Sequence, residues 1–488
     1  MPIKFDFNGL FDFNAGKNGV TERDIKKYKK DARAAYSHLA GILKNRESRV
    51  NLALEWFNLP FQAPEYIKKI QILGGKVAGK YENVLSLGIG GSYLGLKAAQ
   101  DALLPPYYND FAKARGKRPR IYFEGNNLDP ETLSVLLKNL DPKKTFVICI
   151  SKSGETTETK AAFELVLNWL KKGAGKKYGR QVFAITDPRS GTLRKIVDLE
   201  NKKDPLSFRN LPLLEGVGGR FSEFNMGLLH LALTGVKIEQ VLAGAAAMAK
   251  RCMNPETNRN PALMYALLHR ILHKEKGFML AILMPFSEQL KSTADWYIQL
   301  LAESTGKKYE REIVKEGSGA EKWSNGKKII NSGRTPVSAR GTNDLHSIQQ
   351  NNIEGENNKV LTFIKVNKFK HDLVLPDTKD FLAKRKYSTL LAIAQEGTEW
   401  ALTREGRPSC TLTLPEINGY SWGELIFFFE MATAYEGELL KINAFNQPGV
   451  ESYKNYMFYK LKKPGMKPEI AAEIEGHPVQ KKTKYILT

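Results

Sequence analysis

From residue 82 the chain falls into short apolar runs, ENVLSLG, RIYFEG, TFVICI and QVFAITD, each closed by a Gly, Ser, Thr or Asp and followed by a stretch with helical spacing. Strand, turn and helix repeated in this way predict a parallel sheet with helices on both faces. Upstream, the apolar spacing of TERDIKKYKKDARAAYSHLAGILK, opened by Thr21 and Glu22, predicts a helix, so residues 1–70 read as a helical arm. Residues 71–240 then form a first α/β domain. The alanine-rich LAGAAAMAKRCM and the following ALMYALLHRILHKEKG predict bridging helices over 241–275. Beyond them GFMLAILMPFS, NNKVLTFIKV and PSCTLTL predict strands of a second α/β domain, 276–425, and residues 426–488 are read as C-terminal helices and tail. The fold class is therefore α/β, with two doubly wound parallel-sheet domains.

Two strand-to-helix junctions carry candidate chemistry. After the first strand, LSLGIGGSYLGLKAAQDAL supplies a glycine-rich turn, which lets backbone approach a phosphate. Its spacing excludes the common nucleotide motifs. Tyr93 stands where GxGxxG needs its last glycine, and Leu96 stands where a Walker loop needs lysine. A purely structural turn explains it equally well. After TFVICI, the residues Ser151, Lys152, Ser153, Thr156 and Thr159 crowd one junction, with Glu155 opening the helix and Thr156 and Thr159 on one helix face. Hydroxyls, free amides and the helix dipole converge there on one anion, although a single capping hydroxyl would satisfy an ordinary helix start.

Further along, Gly219 in VGGRFS leaves room for a ligand and Arg220 offers a permanently charged fork for a developing oxyanion. Glu303 lies near the end of the predicted helix SEQLKSTADWYIQLLAESTGK among Trp296, Tyr297, Leu300 and Leu301, a setting suited to a general base. His346 in GTNDLHSIQQ exchanges protons near neutral pH. The C-terminal stretch GELLKINAFNQPGVESYKNYMF gathers Gln447, Glu451 and Lys454. Taken singly, each of these has a structural explanation too.

Composition narrows the setting. Across 488 residues, 42% are hydrophobic and 26% charged, enough apolar side chain for real cores. Three scattered cysteines, Cys149, Cys252 and Cys410, make neither a disulfide framework nor a zinc site, as expected of a cytoplasmic protein. No apolar run reaches the ~18 to 20 residues of a membrane-spanning helix, and the amino terminus lacks a secretory pattern. Lys and Arg number 74 against 52 Asp and Glu, a formal net charge of +22 that favours anions in general. The basic residues are scattered, without a stripe interleaved with aromatics, so no dedicated nucleic-acid or membrane partner is expected.

The series GELLxxxxFNQxGVExxK resembles the C-terminal signature of the phosphoglucose isomerase family. GIGGSYLG, SKSGETTET, GGRFS, WYxQLLAESTGK and GTNDLH match that family's other landmarks in the same order, spanning residues 88–454. The resemblance implies two sugar isomerase (SIS-type) domains, a homodimer in which His346 serves the partner subunit's site, and no metal or organic cofactor. It implies interconversion of glucose 6-phosphate and fructose 6-phosphate through a cis-enediol, a step of glycolysis and gluconeogenesis. In that scheme Glu303 is the base, Arg220 stabilises the intermediate, and His346 and Lys454 open and close the sugar ring. Gly91, Ser92, Gly219 and Gln447 bind the sugar, and Ser151, Lys152, Ser153, Thr156 and Thr159 cradle the phosphate. The alternatives are a non-catalytic SIS-domain regulator that binds a sugar phosphate, or an isomerase that also accepts mannose 6-phosphate. The chain departs from the family after GGRFS, where Glu223 and Asn225 replace small or apolar residues and put the local packing in question.

Overall fold

The structure is a computed structural model that describes residues 1–487. It resolves into two compact units, Met1–Ala444 and Phe445–Thr488. In chain order the strands are β1 (Lys4–Asp6), β2 (Asn83–Leu87), β3 (Arg120–Glu124), β4 (Thr145–Ile150), β5 (Val182–Thr186) and β6 (Arg209–Pro212). They continue with β7 (Leu280–Pro285), β8 (Lys307–Lys315), β9 (Glu321–Ser332), β10 (Thr335–Ser338), β11 (Lys359–Lys368) and β12 (Ser409–Glu416).

One sheet has the order β3-β2-β4-β5-β6 and is parallel throughout. Counted from its own first strand this is 2-1-3-4-5, the doubly wound order whose direction reverses between strands one and three. The second sheet, β1-β12-β11-β7-β10, repeats it as 2-1-3-4 for β7, β10, β11 and β12. Every residue of β2, β4 and β5 is buried, which is why these strands read as unbroken apolar runs. The first core joins Leu85, Val147 and Ala184 of the sheet to Phe163, Val166 and Leu170 of the helix Thr157–Ala174. The second gathers Ile282, Met284, Phe286, Leu361 and Phe363 against Leu402. The helix Gly419–Leu440, apolar on nearly all sides, runs buried through the body.

The structure corrects four expectations. Residues 1–70 are not a purely helical arm, because β1 pairs antiparallel with β12, Lys4 opposite Thr413, and takes the fifth position of the second sheet. That sheet is therefore not wholly parallel. Between the Glu303 helix and β10 the chain makes a long antiparallel hairpin, β8 with β9, whose largely exposed strands lack an apolar face for the pattern to register. The last boundary falls after Ala444 rather than at 425, since the Gly419–Leu440 helix is built into the core. The remaining unit holds the helices Glu451–Lys460 and Pro468–Gly476, joined by a Tyr459–Glu475 hydrogen bond of 2.7 Å. As expected, Thr21 caps the helix Glu22–Lys44, with Asp24 completing the capping box. Among the described residues no helix is long and apolar enough to cross a membrane.

Candidate active site

β2 and β4 are neighbours at the point where the first sheet reverses its order, the place where doubly wound sheets bind ligands. The loop leaving β2 is Gly88 and Ile89, then the tight turn Gly90–Ser92 ahead of the helix Leu94–Leu103. The loop leaving β4 is Ser151–Thr156 ahead of Thr157–Ala174. A third turn, Gly219–Phe221, abuts the first so closely that a Cβ on Gly91 would lie 2.1 Å from the Gly219 carbonyl oxygen. Only glycine permits that approach. A fourth element, the helix Lys291–Thr305 that follows β7, carries Gln299 and Glu303.

Arg220 is buried and uses its whole fork. Nη1 donates to Glu303 Oε2 at 3.2 Å, Nε to Ser304 Oγ at 2.8 Å and Nη2 to the Ala444 carbonyl at 2.7 Å. Burial lowers its pKa to about 10, and Glu303 opposes that shift. Glu303 Oε1 accepts from Gln299 Nε2 at 3.2 Å, and the Gln299 amide lies against Gly90, so the first loop and the carboxylate are linked. Lys307, at the start of β8, donates to the Glu303 main-chain carbonyl at the end of its helix. Burial and the nearby Arg220 push the Lys307 amine down to about 7. The cluster thus places one partly exposed carboxylate over a buried guanidinium, a pairing of the kind that can combine a base with a stabiliser of negative charge.

At the β4 junction the hydroxyls divide. Ser151 Oγ accepts from the Gly154 amide at 3.0 Å and Ser153 Oγ from the Glu155 amide at 3.1 Å, which leaves both hydroxyl protons able to donate outward. Thr156 occupies the N-cap, yet its side chain makes no capping bond. Lys152 is exposed beside them. Thr159 behaves differently from the expected phosphate ligand, because it is buried and its hydroxyl donates to the Gly125 carbonyl at 3.1 Å. It ties the helix to the loop after β3. The helix begins at Thr157 and Glu155 lies in the loop ahead of it, so Thr156, with extended backbone, does not share a helix face with Thr159. Glu155 instead accepts from Thr192 and lies 3.6 Å from Lys160.

The phosphoglucose isomerase family pattern matches residues 64–466. Glucose-6-phosphate isomerase of Carboxydothermus hydrogenoformans is 36% identical over 494 residues, covering 100% of both chains. That of Symbiobacterium thermophilum is 35% identical, covering 86% of this chain and 89% of its own. Among solved structures, a hypothetical protein of Thermus thermophilus superposes with a TM-score of 0.79 at 28% identity, over 94% of this chain and 99% of that one. A glucose-6-phosphate isomerase of Chlamydia trachomatis has the same fold, with a TM-score of 0.69 at 23% identity over 84% and 75% of the two chains. The chain belongs to the phosphoglucose isomerase family.

For this family member the structure brings Gly91, Gly219, Arg220 and Glu303 together in one cluster. His346 is joined to this cluster by no hydrogen bond or ion pair among the described residues. It is exposed on the turn Asn343–His346 after β10, and its ring hydrogen-bonds to nothing among the described residues. Gln447 and Lys454 belong to the C-terminal unit, where Gln447 precedes the turn Pro448–Val450 and Lys454 pairs with Glu451 at 2.8 Å. Gln299, Ser304 and Lys307 were not expected, although the four-residue spacing of Gln299 and Glu303 on a helix was a readable signal. The two departures after GGRFS are buried and partnered. Glu223 Oε1 accepts from Trp296 Nε1 at 2.7 Å, and Asn225 Oδ1 accepts from the Leu214 amide at 3.4 Å. Among the described residues no group of three or more His, Cys, Asp or Glu side chains is placed to hold a metal ion.

Proposed function

We propose that this chain interconverts glucose 6-phosphate and fructose 6-phosphate, acting in the cytoplasm as a homodimer. The observation that carries the reading is the 3.2 Å contact between the Glu303 carboxylate and the buried Arg220 guanidinium. Moving a carbonyl from carbon 1 to carbon 2 needs one base to carry one proton and a cation to steady the enediolate. Glu303 takes the proton from carbon 2 and returns it to carbon 1. Arg220, fixed by Ser304 and the Ala444 carbonyl, bears the developing charge without having to reorganise. Ser151, Lys152, Ser153 and Thr156 hold the phosphate, supported by hydroxyl protons that the loop does not consume. Gly91, Ser92, Gly219 and Gln447 bound the sugar. His346 from the partner subunit, with Lys454, opens the ring, a role suited to an exposed imidazole without a partner of its own. No metal or organic cofactor is called for by this scheme.

A coupled assay on the purified protein tests the activity, and solvent tritium should enter fructose 6-phosphate at carbon 1, because a base-held proton exchanges during its transfer. Absence of turnover with both sugar phosphates refutes the assignment. Turnover without any exchange refutes the proton-transfer route.

A further inference from the structure

Beneath the Arg220 turn lie two glutamates that the reaction does not use. Glu223, three residues after Arg220, and Glu430, in the middle of the Gly419–Leu440 helix, are both buried, and each carboxyl acts on the other. Among the described residues neither has an ion-pair partner. Glu223 Oε2 and both oxygens of Glu430 are buried with no hydrogen-bond donor supplied by another side chain or the backbone. Lys97 on the Leu94–Leu103 helix pairs with Asp101 and Lys291 on the Glu303 helix with Asp295, while Arg251, Arg334 and Arg311 pair with Glu424, Glu436 and Glu438 of the helix that carries Glu430. Two carboxylates in contact without a cation cannot both be ionised in such a site. Burial raises both carboxyls, Glu223 to about 7 and Glu430 well above the ordinary range.

The surroundings show what the pair holds. Glu223 Oε1 accepts from Trp296 Nε1, and Trp296 stands seven residues, two helical turns, before Glu303 on the same helix. The Glu223 side chain also fills the space beside Gly95, where an added Cβ would lie 2.3 Å from its Cγ. The Arg220 turn is therefore fastened to the Glu303 helix twice, once through Arg220 and once through Glu223. Resting on the isomerase reading above, we propose that Glu430 is a neutral acid that donates its proton to Glu223, and that this pair makes Glu223 a positioning residue which sets Arg220 against Glu303.

Infrared difference spectra and steady-state kinetics test it. The native protein minus Glu430→Gln should show a protonated-carboxyl C=O band at neutral pH. Glutamine still donates to Glu223, so kcat should stay within about threefold of native, whereas Glu430→Met, similar in length but unable to donate, should lower kcat about tenfold or more with KM within about twofold, as a misplaced catalytic group does. Absence of the band overturns the shared proton. A methionine variant that folds and keeps native kcat, or loses only thermal stability, overturns the positioning role. The spectra need only the native protein and Glu430→Gln, so they decide even where Glu430→Met does not fold. A band in a protein without isomerase turnover refutes the functional reading and leaves the acid pair standing, and turnover without the band does the reverse.

Discussion

Arg220 and Glu303 meet at 3.2 Å across the seam between a tight turn and a helix end, the guanidinium 3% exposed and the carboxylate 27%. The cation is thus held from behind while the carboxylate is the more exposed partner, so Glu303, the proposed base, can be reached without displacing the arginine. Glu303→Gln keeps the shape and removes the proton acceptor. Turnover should fall by about 10² to 10⁴ while sugar-phosphate binding, measured by calorimetry, survives. A variant with near-native kcat would place the base elsewhere.

Ser153→Ala combined with Thr156→Ala should raise KM for sugar phosphates, since each lost charge-assisted bond costs roughly 1.5 to 3 kcal/mol. Thr156 does not cap its helix, so the melting temperature should barely move. A collapse in stability with KM unchanged would show that these hydroxyls serve the helix alone.

Gly91→Ala drives a methyl carbon into the Gly219 carbonyl and must part the two loops proposed to bound the sugar. Because the clash is with backbone, no side-chain rotation relieves it. Both kcat/KM and the melting temperature should drop, and kinetics close to native would show that the loops separate without consequence.

His230, buried with Nε2 2.9 Å from Ser86 Oγ, has its pKa lowered by burial from 6.5 to about 4. A folded-state pKa below the unfolded one means that the unfolded chain binds the extra proton first. The stability this group contributes is complete above about pH 6.5 and is lost as pH falls toward about 4, on the order of 3 kcal/mol. The buried histidines His269 and His273 act with the same sign. Glu223 acts with the opposite sign, because its raised pKa makes stability fall as pH rises from 4.5 to about 7. Urea midpoints across this range should show the acid-side loss shrink in His230→Gln, and an unchanged slope would mean that His230 is already charged in the fold.

Co-refolding inactive Glu303→Gln and His346→Ala chains tests the shared site. A mixed dimer then has one site with both lesions and one with neither, so random pairing should return roughly a quarter of native activity. No recovery, with mixed dimers confirmed by mass, would place His346 in its own chain's site.

What the sequence by itself determined was the alternation of strands and helices, the two glycine- and hydroxyl-rich junctions, and the motifs that single out Arg220 and Glu303. Parallel strands buried on both faces must be apolar along their whole length, and β2, β4 and β5 announce themselves for that reason. Tertiary structure decided the pairings, because local periodicity reports whether a residue is buried and not what it is buried against. The three residues of β1 carry no readable pattern and become a strand only where β12, some four hundred positions away, offers an edge. Thr159 reads like its neighbouring hydroxyls, but the Gly125 carbonyl claims it. Glu223 looked out of place in a tightly packed turn. Folding supplies the Trp296 donor, the space at Gly95 and the second carboxyl of Glu430, and only their meeting makes a buried acid tolerable there.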